Sequence, residues 1–216
     1  MINPISQGTS LSRQAYDLIR AAIIAGEVKP ERLYSVSQFA EMLGVSRTPA
    51  REALLALVAD GLLTVHRNRG YEVVPVTNEL MEEIIEVRRM LEIPAMKRIA
   101  TMDPLPNDAL QTAWAAYRGM TSAAEDTDLM SFMANDRMFH LSLIEAIGNS
   151  KLTSIVADLR DHMHLPGLRG LAEAGKLYST VQDHVELLQA IEERDPEKSG
   201  EVMNRHLNRA LAEWVS

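Results

Sequence analysis

Twelve residues, Leu43 to Leu54, constrain this chain more than any others: Leu-Gly-Val-Ser-Arg-Thr-Pro-Ala-Arg-Glu-Ala-Leu. An apolar helical run ends at Gly44, which suits a turn needing a positive φ. Ser46 stands where a second helix starts, with a hydroxyl able to cap its first N–H groups. Pro49 is tolerated there because first-turn N–H groups have no helical partner. Ala53, Leu54 and Leu57 share one side of that helix and predict a buried face. Arg47, Thr48 and Arg51 lie near its start on the other side. A short helix, a glycine turn and a second helix led by Arg, Thr and Arg form a helix-turn-helix pattern, whose second helix is the one that enters a DNA groove.

The flanking stretches extend that pattern. Leu11 to Ala25 predicts an amphipathic helix with Ala15, Leu18, Ile19, Ala22 and Ile23 on one stripe, ended by Gly26. Val28 to Tyr34 is a short extended link, and Ser35 or Ser37 starts a helix carrying Phe39, Ala40, Met42 and Leu43. The next helix runs from Ser46 to about Ala59 and breaks at Asp60-Gly61. Two β-rich runs, Leu62 to Val65 and Tyr71 to Val74, flank Arg67-Asn68-Arg69-Gly70 and predict a hairpin. Behind a helix-turn-helix such a hairpin is a wing, and Arg67, Arg69 and Gly70 at its tip are candidates for DNA backbone or minor-groove contact.

Pro75 to Asn78 is the expected boundary, so residues 1–10 read as a mobile arm, 11–76 as a winged helix-turn-helix domain and 77–216 as a second domain. The second domain shows helical periodicity and no strand pattern. Its helices are expected over Glu79–Thr101, with Leu80, Ile84, Val87, Leu91 and Ala95 buried, then Asp108–Ala124, Leu129–Ile147, Lys151–Leu165, Lys176–Arg194 and Glu197–Trp214. Six helices on short connections predict an antiparallel all-α bundle, and the chain as a whole is mainly α with one small hairpin.

Charge is divided between the two parts. The net charge of −8 argues against a protein that coats nucleic acid without specificity. Residues 1–75 hold 8 basic and 7 acidic residues, and residues 76–216 hold 14 and 23. A near-neutral reading domain relies on a few placed arginines rather than a broad field. Cysteine is absent, which excludes disulfides and thiolate metal sites. No run of 18 apolar residues predicts a membrane span, and Met1 to Ser10 lacks the basic start and apolar segment of a signal peptide. A cytoplasmic protein is expected.

Four polar residues of the second domain share one spacing logic. Asp136 and His140 are one turn apart on one helix face. His184 lies eleven residues before Asp195, and His206 ten residues after Pro196. If the chain reverses at Asp195-Pro196, both histidines stand roughly 15 Å from the turn and at one height. One carboxylate and three imidazoles then converge inside the bundle. Each residue alone also fits a satisfied core or surface position.

Residues 15–73 resemble the N-terminal domain of the GntR family of bacterial transcription regulators. The resemblance is carried by Tyr16-Asp17-Leu18-Ile19-Arg20-Ala21-Ala22-Ile23, Gly26, Pro30, Leu33, Phe39-Ala40, the Leu43–Pro49 turn, Arg51-Glu52-Ala53-Leu54, Asp60-Gly61-Leu62-Leu63 and Arg69-Gly70. Residues 79–214 resemble the FCD effector domain of the FadR subfamily, on Glu86-Val87-Arg88, Leu91-Glu92, Asp136-Arg137-Met138-Phe139-His140, Gly148-Asn149, Asp183-His184, Ala190-Ile191 and His206. Six helices are similar to the VanR-type branch. The resemblance implies a divalent metal held by Asp136, His140, His184 and His206, a small carboxylic-acid effector and a homodimer on a palindromic DNA operator. Ser46, Arg47, Thr48, Arg51, Arg67, Arg69 and Gly70 are then the candidate DNA-binding residues. The ligand set suits Zn²⁺, Ni²⁺ or Mn²⁺ and does not choose among them, with Zn²⁺ the first expectation. Arg88 is the candidate partner of an effector carboxylate; a surface salt bridge to Glu92 one turn on is the alternative.

Two departures from the family pattern stand out. Glu31 follows Pro30 where glycine is usual, and Ser37 occupies a position where some relatives carry a DNA-touching arginine. Three functions compete: a repressor that responds to a small carboxylic acid, a regulator for which the metal itself is the signal, and a metal-dependent hydrolase. The last leaves the N-terminal pattern without a purpose and has no separate general base placed by the sequence. A regulator rather than an enzyme is expected.

Overall fold

A computed structural model of the chain describes residues 10–24, 26–161 and 177–215. The chain divides after Pro75 into two compact units. The first holds α1 (Leu11–Ile24), α2 (Val36–Leu43), α3 (Arg47–Ala59), β1 (Leu63–His66) and β2 (Gly70–Val73). Ser35 starts α2 with a capping box: its hydroxyl accepts from the Gln38 N–H, and the Gln38 side chain accepts from the Ser35 N–H. Gly44 ends α2 in the left-handed conformation, at φ 64°. Ser46 is the N-cap of α3, but its hydroxyl makes no cap hydrogen bond. The third helical residue, whose N–H such a hydroxyl would bond, is Pro49, which has none.

Ala15, Ile19 and Ile23 of α1 join Phe39, Leu54, Leu57, Leu63, Tyr71 and Val73 in the core of this unit. The buried stripe of α1 is narrower than its periodicity predicts. Leu18 is 59% exposed because α1 packs chiefly on α3, and Met42 of α2 is also exposed. The hairpin pairs Leu63 with Val73, Val65 with Tyr71 and His66 with Gly70. Tyr34 adds a further bridge, exchanging both backbone hydrogen bonds with Tyr71 at 2.8 Å. Gly70 is required at that crossing, since it holds φ +130° and a Cβ there would lie 2.5 Å from the Tyr34 carbonyl oxygen. Glu31 stands in the left-handed region, at φ 62°, which explains the glycine usual at this place.

The second unit holds α4 (Asn78–Ala100), α5 (Asn107–Asp126), α6 (Leu129–Glu145), α7 (Ser150–Asp161), a 3-10 turn (Leu177–Val181), α8 (Gln182–Glu192) and α9 (Pro196–Val215). Thr77 caps α4 and Asp128 caps α6 through their side chains. The α5–α6 pair approaches closely where Gly119 faces Asn135, and α9 packs against both α4 and α8. The core is built from Met81, Ile85, Met96, Ile99, Met120, Phe139, Leu143, Leu188, Met203 and Leu207, among others. No described helix is long and apolar enough to cross a membrane. The expected extension of the fourth bundle helix to Leu165, with His162 and His164, lies outside the described residues.

The buried face of α4 corrects the sequence expectation. It runs through Met81, Ile84, Ile85, Arg88, Glu92, Ala95, Met96 and Ile99, while Val87 is 40% exposed and Leu80 and Leu91 are half-buried. The helix is turned so that two charged residues face inward, an orientation that a search for apolar spacing does not select.

Gly70→Ala should weaken the first unit by about 1–3 kcal/mol, from the strained backbone alone, with the clash on Tyr34 adding to it. Chemical denaturation monitored on the full chain checks this; an unchanged midpoint for the first unit would show that the Tyr34–Tyr71 bridge is not essential.

Candidate functional site

Four side chains from three helices meet inside the second unit. α6 supplies Asp136 and His140 one turn apart, α8 supplies His184 and α9 supplies His206, with one ligand atom from each lying within 4.8 Å of all the others. The reversal at Asp195-Pro196 sets the two helices side by side, so the His184 and His206 ring centroids are 4.7 Å apart. His140 lies 5.2 Å from His184 and 4.9 Å from His206 by the same measure. Phe139 packs edge-on against His140 and His184 and restricts both rings.

The donor atoms themselves crowd together. His140 Nε2 and His184 Nε2 are 3.2 Å apart. Asp136 Oδ1 lies 3.1 Å from the second and 3.7 Å from the first. At most one proton fits between the two imidazole nitrogens, so lone pairs and a carboxylate oxygen face a common space. That donor set fits a divalent cation of the zinc type. Desolvation pushes His140 and His206 well below the ordinary imidazole pKa, with Arg160 next in effect on His140 and His184 next on His206, so both rings are neutral donors. Burial alone would raise Asp136, but Arg160 and the imidazoles outweigh it and hold the carboxyl well below its usual range.

A second tier of charge, which helical spacing alone does not assemble, surrounds the ligands. Arg160 of α7 donates through Nη2 to Asp136 Oδ2 at 2.5 Å and through Nη1 to Glu92 Oε2 at 3.2 Å. Glu92 also accepts from Arg88 Nε at 2.5 Å, and its Oε2 lies 3.6 Å from His140 Nδ1. Asp136 therefore turns Oδ2 to a guanidinium and Oδ1 to the imidazoles. Arg88 does pair with Glu92 one turn on, but the pair is fully buried rather than on the surface. Burial pulls the Arg88 guanidinium below its usual pKa, and Glu92 opposes that shift. A signal for Arg160 exists in the sequence: it continues the spacing of Leu152 and Val156 at i+4, a charge on an otherwise inward stripe.

The first unit presents a separate candidate surface. Ser46, Arg47, Thr48 and Arg51 are all exposed on the outer face of α3, as are Arg67 and Arg69 at the hairpin tip. Glu52 and Leu55 share that outer face, and Leu55 is 49% exposed. Gly70 is half-buried, and its position is explained by the approach of Tyr34. His66, at the end of β1 before the hairpin tip, is half-buried, with its Nε2 2.6 Å from Glu72 Oε2.

Comparison with known proteins accounts for both units. The gntR family of bacterial regulatory proteins matches residues 11–73, and the FCD domain matches residues 83–209. The gluconate operon transcriptional repressor of Bacillus subtilis is 30% identical over 198 residues, 88% of this chain and 79% of that protein. The transcriptional regulator McbR of Escherichia coli is 29% identical, covering 87% of this chain and 85% of the relative. The solved structure of E. coli McbR superposes with a TM-score of 0.82 at 26% identity, over 94% of this chain and 96% of that one. The FCD match alone spans more than half of the sequence, and the chain belongs to the gntR family of bacterial regulatory proteins, as a DNA-binding transcription regulator with an FCD domain.

Proposed function

We propose that this regulator is a repressor whose operator binding is set by a small carboxylic acid held at a divalent metal in the FCD domain. The observation that carries the reading is the convergence of Asp136, His140, His184 and His206. Zn²⁺ is the first candidate, with Ni²⁺ and Mn²⁺ compatible with the same donors. A relative named for repression of a gluconate operon supports both repression and an acid as the regulated chemistry. The six-helix, VanR-type branch is part of this reading.

In this reading the chain acts as a homodimer, with two α3 helices in successive major grooves of a palindromic site. Arg47 and Arg51 make base or phosphate contacts. Ser46, whose hydroxyl is not engaged in a cap, and Thr48 hold phosphate at the start of α3. Arg67 and Arg69 reach backbone or minor groove from the wing. In the second unit, Asp136, His140, His184 and His206 would hold the ion, which would supply a Lewis-acidic partner for a carboxylate oxygen. Arg160 keeps Asp136 oriented, and Arg88 pairs with the effector by giving up its hydrogen bond to Glu92. α4, which begins directly after the first unit ends at Pro75, then carries the change toward the DNA-reading part.

Replacing both Arg47 and Arg51 by Ala should cost about 1–3 kcal/mol for each bidentate guanine interaction removed and relax specificity at that base pair. A phosphate contact would instead weaken all sequences alike and flatten the salt dependence. Gel-shift titrations on a selected operator distinguish these, and wild-type affinity in a folded double variant would refute the placement.

Purified chain should carry one divalent ion, lost in the His184→Ala, His206→Ala double variant by elemental analysis. Removing the ion should lower the melting temperature, since binding to the folded state alone stabilises it. Acid should act with a defined sign. An unfolded chain takes up protons on its histidines at about pH 6.5, whereas His140 and His206 stay neutral in the fold. Stability of the metal-free chain therefore falls as pH drops below about 6.5 toward the lower folded values. Proton competition for the ion likewise sets in only below that point. Metal affinity already lost above about pH 7 would contradict the site.

Effector and operator must be coupled reciprocally. A coupling of about 1–3 kcal/mol changes operator affinity roughly 5–150-fold, and operator DNA must change effector affinity by the same factor. Paired titrations of carboxylic acids and operator, each with and without the other, measure it. Acid binding at the metal with no change in operator affinity would sink the mechanism, and a response to metal exchange alone would favour the ion as the signal.

A further inference from the structure

Beside the ligand set lies a second ion-pair cluster that neither metal ligation nor DNA reading uses. Asp183, the residue before His184, is a carboxylate only 1% exposed. Arg205, the residue before His206, donates through Nε to Asp183 Oδ1 at 2.8 Å and also bonds Glu186 further along α8. Arg209, one turn beyond, donates through Nη2 to Oδ1 at 3.3 Å and places Nε 3.0 Å from Oδ2. Two residues of α9 thus hydrogen-bond one oxygen of one residue of α8, and Arg209 stands in ion-pair contact with the other. Because Asp183 and His184 are consecutive, as are Arg205 and His206, the cluster ties the helices at the level of the two imidazoles.

Stability alone does not account for a carboxylate in this place. Asp183 is taken out of water, while the Arg205 and Arg209 side chains remain 47% and 33% exposed. In such a pair the desolvation penalty offsets most of the attraction, and a well-packed apolar residue does as well or better. An apolar contact between helices lacks direction, however. A carboxylate oxygen that accepts from guanidiniums on two successive turns of α9 opposes sliding and rotation of α8 against α9 together. That restriction matters to a metal site, where ligand distances tolerate only about 0.2 Å.

We infer that Asp183, with Arg205 and Arg209, is a positioning clamp that sets the register of α8 on α9 and thereby presents His184 and His206 to one ion. The clamp rests on the metal reading above and adds residues that touch no metal. It is tested by titrating the full-length, metal-stripped chain with Co²⁺, following affinity by chelator competition, the visible spectrum, and the melting temperature without metal. Asp183→Asn and Arg205→Ala are the clamp variants; Glu193→Gln, which removes an exposed pair to Lys198, is the control. Both clamp variants should bind Co²⁺ about tenfold more weakly or worse, the range seen for outer-shell partners, with an altered visible spectrum, a loss beyond any fall in metal-free melting temperature that the stranded partner brings. The control should match wild type. Wild-type affinity and spectrum in both clamp variants would overturn the clamp while leaving the metal site standing. A loss of affinity matched by an equal loss of metal-free stability would also overturn it, reducing the cluster to a structural pair. Failure of the unaltered chain to bind Co²⁺ would remove the metal reading and the clamp together. Should Asp183→Asn not fold, Arg205→Ala, at a half-exposed position, decides the question.

Discussion

The second unit depends on a charge balance struck inside its core. Arg88, Glu92, Asp136 and Arg160 bring two positive and two negative groups among apolar side chains, with three imidazoles beside them. Of the four, Arg88, Glu92 and Arg160 are buried and would not be tolerable there alone, because an unpaired buried charge costs several kcal/mol. Glu92 sits between the two guanidiniums and Arg160 between the two carboxylates, so each group answers at least one other. The helices must therefore pack so that α4, α6 and α7 deliver these groups to one place, and the apolar residues fill what remains. Removing any one partner would do more harm than the loss of a surface pair, since it strands its neighbour.

That network also marks the limit of what could be read from sequence. The winged part was legible almost entirely, because its signals are local: the Ser35–Gln38 capping box, the left-handed Gly44, and the turn at Asn68–Gly70 each act within a few residues. The clustering of Asp136, His140, His184 and His206 was legible for a different reason. An i,i+4 pair and two positions mirrored about Asp195-Pro196 convert spacing directly into height along a helix. Arg160 and the inward turn of α4 were not legible by the same route. Apolar periodicity identifies a core face by its hydrophobic members, so Leu80, Val87 and Leu91 outweighed Arg88 and Glu92, although the true stripe of Met81, Ile85, Met96 and Ile99 was equally present. Leu18 and Met42 failed in the opposite sense, as apolar residues that face solvent.

The unequal division of charge follows from the two tasks. A reading surface of few arginines gives up the broad electrostatic attraction that drives non-specific association. The acidic second part does not restore it. On the proposed reading, affinity for DNA would come from placed contacts at the start of α3 and at the hairpin, which is where Arg47, Arg51, Arg67 and Arg69 stand exposed. Such a surface is sensitive to geometry, and so a modest rearrangement has a large effect on binding.

The division of labour at Asp136 supplies a physical route for such a rearrangement. One oxygen faces the imidazoles and the other faces Arg160. A cation drawing charge from Oδ1 would weaken what Oδ2 offers the guanidinium, and among the described residues the other hydrogen-bond partner of Arg160 is Glu92 on α4. An anion arriving at such an ion would act on the same chain of contacts with the opposite sign, and one that captured Arg88 would remove a second hydrogen bond from Glu92. Ion and acid would thus converge on a single carboxylate of the helix that follows the DNA-reading unit. A ligand that bound without disturbing Glu92 would have equal affinity for either arrangement of α4, and equal affinity shifts no equilibrium however tight the binding.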